Sequence, residues 1–164
     1  MHELSEELTE HASSWQSTHR CIAERPEHGL SRELPMTVEF WDTEGRSSTL
    51  TVTTNRELLD VLDTFPQRLP FFCEFVADNG YKLLVGIRDG LACIQHSQVD
   101  NSPPYLVAVE TNQQVSDEYV DFLMANTDTP VLARYCLKFE TAKQIIVHFF
   151  ETGERSSAIP WEEI

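Results

Sequence analysis

Two adjacent tight-turn signals, Asn79-Gly80 and Asp89-Gly90, constrain the fold of this chain more than any other feature of its sequence. Apolar runs flank both turns, from Phe71 to Asp78, from Tyr81 to Arg88 and from Leu91 to Gln95. Asn-Gly and Asp-Gly accept the positive φ angles that two-residue hairpin turns require. The sequence therefore predicts three consecutive antiparallel strands that form a β-meander.

A hairpin followed by a helix is predicted upstream of the meander. Residues Met36 to Asp42 alternate apolar and polar side chains, the chain turns at Thr43 to Gly45, and Ser48 to Thr53 alternate again. Thr54 and Glu57 have the spacing of a capping box, which begins a helix. The apolar face of that helix comprises Leu58, Leu59, Val61, Leu62 and Phe65.

Three further strand-like segments lie downstream, at Tyr105 to Thr111, Glu118 to Met124 and Val131 to Leu137, with a turn predicted from Asn126 to Pro130. Strands and helices do not alternate regularly along the chain, which argues against a parallel sheet. The sequence therefore predicts an α+β fold. Its sheet should be mainly antiparallel, built from a meander and hairpins, with helices packed on one face.

The end of the chain, from Phe139 to Ile164, begins with an amphipathic helix. Its apolar residues fall at three- and four-residue spacing and form one stripe of Ala142, Ile145, Ile146, Phe149 and Phe150. Glu140 lies in the first turn, where its charge meets the positive end of the helix dipole, and Gly153 is expected to end the helix. The apolar residues that lead to Trp161 predict a docked tail with the indole as a core anchor.

The end of the chain consists of this helix with its Phe-Phe-Glu-Thr-Gly ending, a polar spacer and a closing Pro-Trp-Glu-Glu. This order resembles the C-terminal signature of immunity protein family one of bacterial polymorphic toxin systems. The resemblance covers residues 36 to 164, and residues 139 to 164 carry its motif. Its structural residues here are Phe149, Phe150, Gly153, Pro160 and Trp161. The resemblance implies a cytoplasmic antidote that binds and neutralises a cognate toxin, and toxins of this kind include nucleic-acid deaminases.

The first 34 residues differ from the rest of the chain. Leu4, Leu8, Ala12 and Trp15 have the spacing of one helical face, and two prolines and a glycine follow between Arg25 and Pro35. We therefore expect residues 1 to 34 to form an N-terminal helical extension and linker, and residues 35 to 164 to form the immunity-type α+β domain. The whole is expected to be a single globular domain.

The net charge of the chain is −15, from 27 acidic residues against 12 Lys and Arg. Nucleic acids and anionic membranes attract Lys and Arg, so neither is an expected partner. A toxin with a basic surface is the expected partner, although an acidic surface can also serve solubility alone. The N-terminus is acidic and no apolar run approaches the length of a membrane span, so the protein is expected in the cytoplasm.

No recognisable catalytic motif is present, so we predict no catalytic residue, metal site or cofactor and do not expect an enzyme. Cys93 and His96 have a CxxH spacing, but residues three apart on a strand point to opposite faces and cannot bind one metal ion. The alternative is a small hydrolase or ligand-binding regulatory domain whose site is assembled from scattered residues. The sequence is also compatible with a homo-oligomer.

The predicted partner-binding surface combines aromatic residues with carboxylates. If Val38 and Phe40 face the core, the residues that alternate with them face outward, and the same pattern recurs on a later strand. The loops Asp42 to Arg46 and Gln98 to Pro104 are further candidates, because loops can reach into a cleft. Aromatic side chains beside acids are typical of a hot spot for a basic partner. The residues proposed for this surface are Glu39, Trp41, Asp42, Glu44, Asp100, Tyr119 and Asp121.

Overall fold

The computed structural model describes residues 35–41, 46–65, 71–110, 118–124 and 127–164, so the predicted extension over residues 1 to 34 lies outside the described residues. The described part contains ten strands and two α-helices. In chain order they are β1 (Met36–Trp41), β2 (Ser47–Val52), α1 (Asn55–Thr64), β3 (Phe71–Val76), β4 (Tyr81–Arg88), β5 (Leu91–Gln98), β6 (Leu106–Ala108), β7 (Tyr119–Met124), β8 (Thr127–Leu132), β9 (Leu137–Lys138), α2 (Phe139–Thr152) and β10 (Trp161–Glu163).

The main sheet has eight strands. Seven follow the spatial order β10-β6-β5-β4-β3-β1-β2, and β9 pairs with the start of β5. Every pairing is antiparallel, and the central β3, β4 and β5 form the predicted meander. Asp89 and Gly90 have φ angles of 47° and 77°, which confirms the tight turn between β4 and β5. The predicted α+β class with a mainly antiparallel sheet is confirmed.

Both helices pack on one face of this sheet, which we call the helix face. Alternate strand residues such as Val38, Phe75 and Val85 are fully buried there. Helix α2 buries the predicted stripe of Ala142, Ile145, Ile146, Phe149 and Phe150. Each large apolar side chain contributes roughly 1.5–3 kcal/mol when it leaves water. Gly153 ends α2 with φ 70°, and its N–H donates to the Phe149 carbonyl at 2.7 Å.

The predicted capping box begins α1. The Glu57 N–H donates to Thr54 Oγ1 at 3.2 Å, and the Glu57 carboxylate accepts from the Thr54 N–H at 3.2 Å. The same carboxylate also accepts from the Thr53 N–H at 2.8 Å, and this bond is the largest cause of the lowered pKa of Glu57. Helix α1 buries Leu58 and Leu62, but Leu59 is 40 % exposed, so its predicted place on the apolar face is wrong. Leu59 directly follows Leu58, about 100° further round the helix, and there it faces away from the sheet.

The opposite face of the sheet, which we call the outer face, carries a second layer that the sequence did not predict. Strands β7 and β8 form a separate two-stranded sheet. Their residues enclose a second core with the outer face, formed by Phe72, Cys93, Phe122 and Cys136. The Phe72 and Phe122 rings pack at 5.7 Å between centroids. The sheet is therefore covered by helices on one face and by a hairpin on part of the other.

Two predicted boundaries are wrong in this region. The predicted turn from Asn126 to Pro130 mostly belongs to β8, where Pro130 pairs with Asp121. A two-stranded sheet tolerates this proline because each strand has an edge at which no N–H is needed. The predicted strand from Val131 to Leu137 is interrupted by a 3₁₀ turn at Ala133–Tyr135.

The C-terminal tail is docked, as predicted, but it docks as a strand. Strand β10 pairs antiparallel with β6 and forms one edge of the main sheet. The Val109 N–H donates to the Pro160 carbonyl at 3.0 Å, and the Ile164 N–H donates to Tyr105 at 3.1 Å. Trp161 is half-buried against the core, and its indole N–H donates to the Ser156 carbonyl at 2.9 Å.

Candidate partner-binding surface

The outer face carries one row of residues that runs in register across six strands. The row is Glu39 on β1, Glu74 on β3, Leu84 on β4, Gln95 on β5, Val107 on β6 and Glu162 on β10. Neighbouring strands lie about 4.8 Å apart, so this cross-strand row is roughly 24 Å long. Its centre contains the apolar Leu84 and Val107, and carboxylates occupy both ends.

A cleft of about 340 Å³ opens between the centre of the row and the β7–β8 hairpin. Leu84 and Val107 line it from the sheet, and Met124 and Val131 line it from the hairpin. Tyr119 and Ile164 also line the cleft, although they are 64 % and 58 % exposed. Large exposed apolar side chains beside a concave apolar surface are typical of an interaction site.

The carboxylates at the β1 end of the row outnumber the cations there. Glu39 and Glu74 are direct cross-strand neighbours, an arrangement that is unfavourable for like charges. The buried Lys82 donates from Nζ to Glu74 Oε1 at 2.8 Å and compensates that carboxylate. Among the residues that the structure describes, neither Glu39 nor the exposed Glu162 at the other end forms an ion pair. Within the described part of the chain, each end of the row therefore has one carboxylate without an ion-pair partner.

The structure brings part of the predicted surface together. Glu39 belongs to the cross-strand row, and Tyr119 lines the cleft on the same side of the sheet. Trp41 follows two residues after Glu39 on the outer face and is half-buried. Asp121 is exposed on β7, and its carbonyl accepts a hydrogen bond from Arg88.

Asp100 lies elsewhere. It follows β5 at the end of the sheet where β1 begins, whereas Trp41 is the last residue of β1, so roughly 20 Å of strand separate the two. The Asp100 carboxylate accepts from the Ser102 N–H at 2.9 Å, and this hydrogen bond lowers the pKa of Asp100. Asp42 and Glu44 lie outside the described residues.

Residues of the row that are absent from the surface predicted from the sequence include Glu74, Leu84, Val107 and Glu162. The sequence does single out Glu74, because a carboxylate within the apolar run Phe71 to Val76 needs a nearby cation when it is buried. The other three become recognisable when the register of β4, β6 and β10 is known. A row across six strands depends on that register, which short-range sequence patterns do not contain.

A second pocket of about 380 Å³, on the helix-face side, surrounds His96. The imidazole stacks on Tyr81 at 5.0 Å and contacts the edges of Phe149 and Trp161. Burial, and then the charge of Arg155, lower the pKa of His96 to about 4. At neutral pH this imidazole is uncharged and a weak base, so its surroundings suit packing better than general-base catalysis.

The two cysteines of the second core are equally unsuited to chemistry. Burial raises the pKa of Cys93 to about 12 and that of Cys136 to about 11, so both remain protonated thiols at neutral pH. Cys93 faces the hairpin and His96 faces α2, so the two side chains lie on opposite faces of β5, as predicted. Within the described ranges, no group of three His, Cys, Asp or Glu residues is placed to hold a metal.

The chain is similar to a described protein family. The family model described as Immunity protein Imm1 matches residues 46–163, well over half of the chain. The matched region includes the hairpin, Glu162 and the cleft apart from Ile164, whereas Glu39 and Trp41 lie upstream of it. No curated protein matches the chain. Neither α1 nor α2, the α-helices of the described residues, has the length and apolar composition needed to cross a bilayer.

Proposed function

Since the chain belongs to the Imm1 family of immunity proteins, we propose that it binds its cognate toxin in the cytoplasm and neutralises it by covering the toxin's active site. The observation that carries this proposal is the outer face, where an apolar cleft lies between carboxylates at both ends of the cross-strand row. An apolar centre with a charged rim is the usual anatomy of a protein interface.

Inhibition by occlusion fits the chemical state of the described side chains better than catalysis does. The His96 imidazole has its pKa lowered to about 4, and the thiols of Cys93 and Cys136 have raised pKa values. None of these groups has the pKa near neutrality that favours a general base or a thiolate nucleophile. These three groups therefore favour a stoichiometric binder over an enzyme.

The charge of the chain favours a toxin that acts on nucleic acid, such as a deaminase. An enzyme of that kind needs Lys and Arg around its cleft to hold phosphates. A chain with a net charge of −15 attracts such a surface at long range, which raises the association rate. Carboxylates on the outer face can then occupy the positions that phosphates occupy in the toxin's substrate complex.

Co-expression with the toxin encoded beside this chain tests the proposal. We expect cells that make both proteins to survive and the two proteins to elute from a sizing column as a complex. A variant toxin with an inactivated catalytic residue serves as the control, because it should form the complex without being lethal. Cell death despite soluble, folded immunity protein, together with separate elution of the two proteins, would contradict the proposal.

A further inference from the structure

We propose that the outer-face cleft receives one apolar side chain of the toxin, and that basic toxin residues on either side of it pair with Glu39 and Glu162. This inference rests on the proposed function and names the contact surface that the function uses. The partner is thus a protein segment in which an apolar residue projects between two cationic groups.

The cleft has the size and lining for an inserted side chain. Its volume of about 340 Å³ lies at the small end of the range for ligand pockets, which begins at roughly 300 Å³, and this size suits one inserted side chain. Apolar residues from two separate elements, Leu84 and Val107 of the sheet and Met124 and Val131 of the hairpin, contribute to its walls. A side chain that enters between them is buried on both sides, which is the environment in which interface anchors contribute most.

The rim favours a protein partner over a soluble metabolite. Tyr119 projects into solvent beside the cleft, and tyrosine at such a position gives a large apolar contact area together with a hydroxyl group. Ile164 contributes a second exposed apolar surface at the same rim. An occupant confined to the cleft would leave both side chains in water, whereas a protein surface covers them.

The charges specify what flanks the apolar residue. Glu162 is the direct neighbour of Val107, and Glu39 lies about two strand spacings, roughly 10 Å, from Leu84. The carboxylate of Glu74, between them, is already paired with Lys82. The partner therefore needs two cationic groups about 24 Å apart. Arginine suits both places because its guanidinium binds a carboxylate in a bidentate manner.

A second copy of this chain does not fit the same surface. In a two-fold arrangement identical surfaces meet, so the carboxylates of one row would face those of the other. Each copy also carries a net charge of −15, which opposes close approach. Arg134 precedes the cleft residue Tyr135 in the chain, and its Nη2 donates to the Tyr135 hydroxyl at 2.6 Å. A toxin with a basic surface can pair with the carboxylates of the row, whereas a second copy of this chain cannot.

Two pairs of matched variants test this surface by toxin binding. Tyr119→Ala removes an exposed aromatic ring at the cleft, and Leu59→Ala removes an exposed apolar side chain from α1 on the opposite side. Glu162→Lys and Asp60→Lys change the net charge of the protein equally, the first on the row and the second on α1. Circular dichroism and thermal melting of each variant first establish that it is folded.

We expect Tyr119→Ala to raise the Kd for the purified toxin domain by at least about 30-fold and Glu162→Lys to raise it by about tenfold. Leu59→Ala and Asp60→Lys should bind within about twofold of the natural chain. In the unmutated complex, hydrogen exchange should slow in β7 and β10 and remain unchanged in α1, which tests the surface without any substitution.

The outcomes separate this inference from the proposed function. If the natural chain does not bind the toxin, the proposed function fails and the contact surface fails with it. If the natural chain binds, but Tyr119→Ala weakens binding no more than Leu59→Ala, the outer-face assignment is overturned while the function stands. Equal weakening by Glu162→Lys and Asp60→Lys would likewise overturn the role of the cross-strand row.

Discussion

Replacement of Gly86 by alanine tests the second core, because this residue lies beneath the β7–β8 hairpin. Gly86 pairs with Phe72 on one side and Cys93 on the other. A methyl group at this position would lie 2.7 Å from Cys93 Sγ and 2.9 Å from the Phe72 ring. Both distances are far shorter than the roughly 3.5–4.0 Å of an ordinary contact, so the neighbours must move.

The size of the effect follows from two opposing contributions. Overpacking of a filled core costs about 1–3 kcal/mol, whereas the reduced freedom of the unfolded chain returns about 0.4–1 kcal/mol. We therefore expect Gly86→Ala to lower the free energy of unfolding by about 1–2 kcal/mol in urea titrations at 25 °C. The hairpin, as the smaller element, should take up most of the displacement.

A double-mutant cycle with Cys93→Ala identifies the cause. Removal of the Cys93 sulfur creates the space that the new methyl group needs, so the double variant should recover part of the lost stability. The coupling free energy should be about 1 kcal/mol, within the range for side chains in contact. Unchanged stability of Gly86→Ala, or strictly additive effects in the cycle, would refute the close packing of Phe72 and Cys93 around Gly86.

Three further predictions address the charges. Lys82→Met should lower the free energy of unfolding by about 3 kcal/mol, because it leaves the Glu39 and Glu74 carboxylates opposite each other without the buried cation. Lys143→Met breaks the more exposed pair with Asp63 and should lower the free energy of unfolding by at most about 1 kcal/mol. Equal losses for the two variants would contradict the role of the buried cation. The pKa of His96 is lowered to about 4 in the folded chain, so the unfolded chain binds the proton more tightly and the free energy of unfolding should fall as the pH drops from about 6.5 toward 4. Urea titrations at pH 7 and pH 5 should show a smaller loss of this free energy for His96→Phe than for the natural chain. An identical loss would assign the pH dependence to other groups. Association with the toxin should slow markedly between low and physiological salt while dissociation changes less, as stopped-flow measurements can show. A salt-independent association rate would contradict a role for the acidic surface in binding.

The local elements of this fold are predictable from short stretches of sequence. Asp89-Gly90 specifies its own turn, Thr54 and Glu57 begin α1, and Gly153 ends α2 with the expected left-handed backbone. In each case the determining interaction joins residues no more than four positions apart. Helix α2 was equally predictable, because the spacing of its buried residues reflects the helical period alone.

The arrangement of these elements depends on interactions that the sequence pattern does not contain. Val120, Phe122 and Met124 alternate as residues of a main-sheet strand would, yet β7 leaves the main sheet and packs on its outer face. The pattern specifies an apolar side of the strand but not the surface that covers it. For the same reason the sequence predicts that Tyr119 faces outward but does not predict its position beside Leu84 and Val107.

Titration of toxin activity with purified immunity protein is the measurement that tests the central claim most directly. Occlusion of an active site requires one binder for each toxin molecule. We therefore predict that toxin activity on its substrate falls linearly with added immunity protein and reaches zero at a one-to-one ratio, with full recovery when the complex is dissociated. Lasting inactivation by a small fraction of an equivalent, which requires one molecule to act on many toxins in turn, would contradict the account.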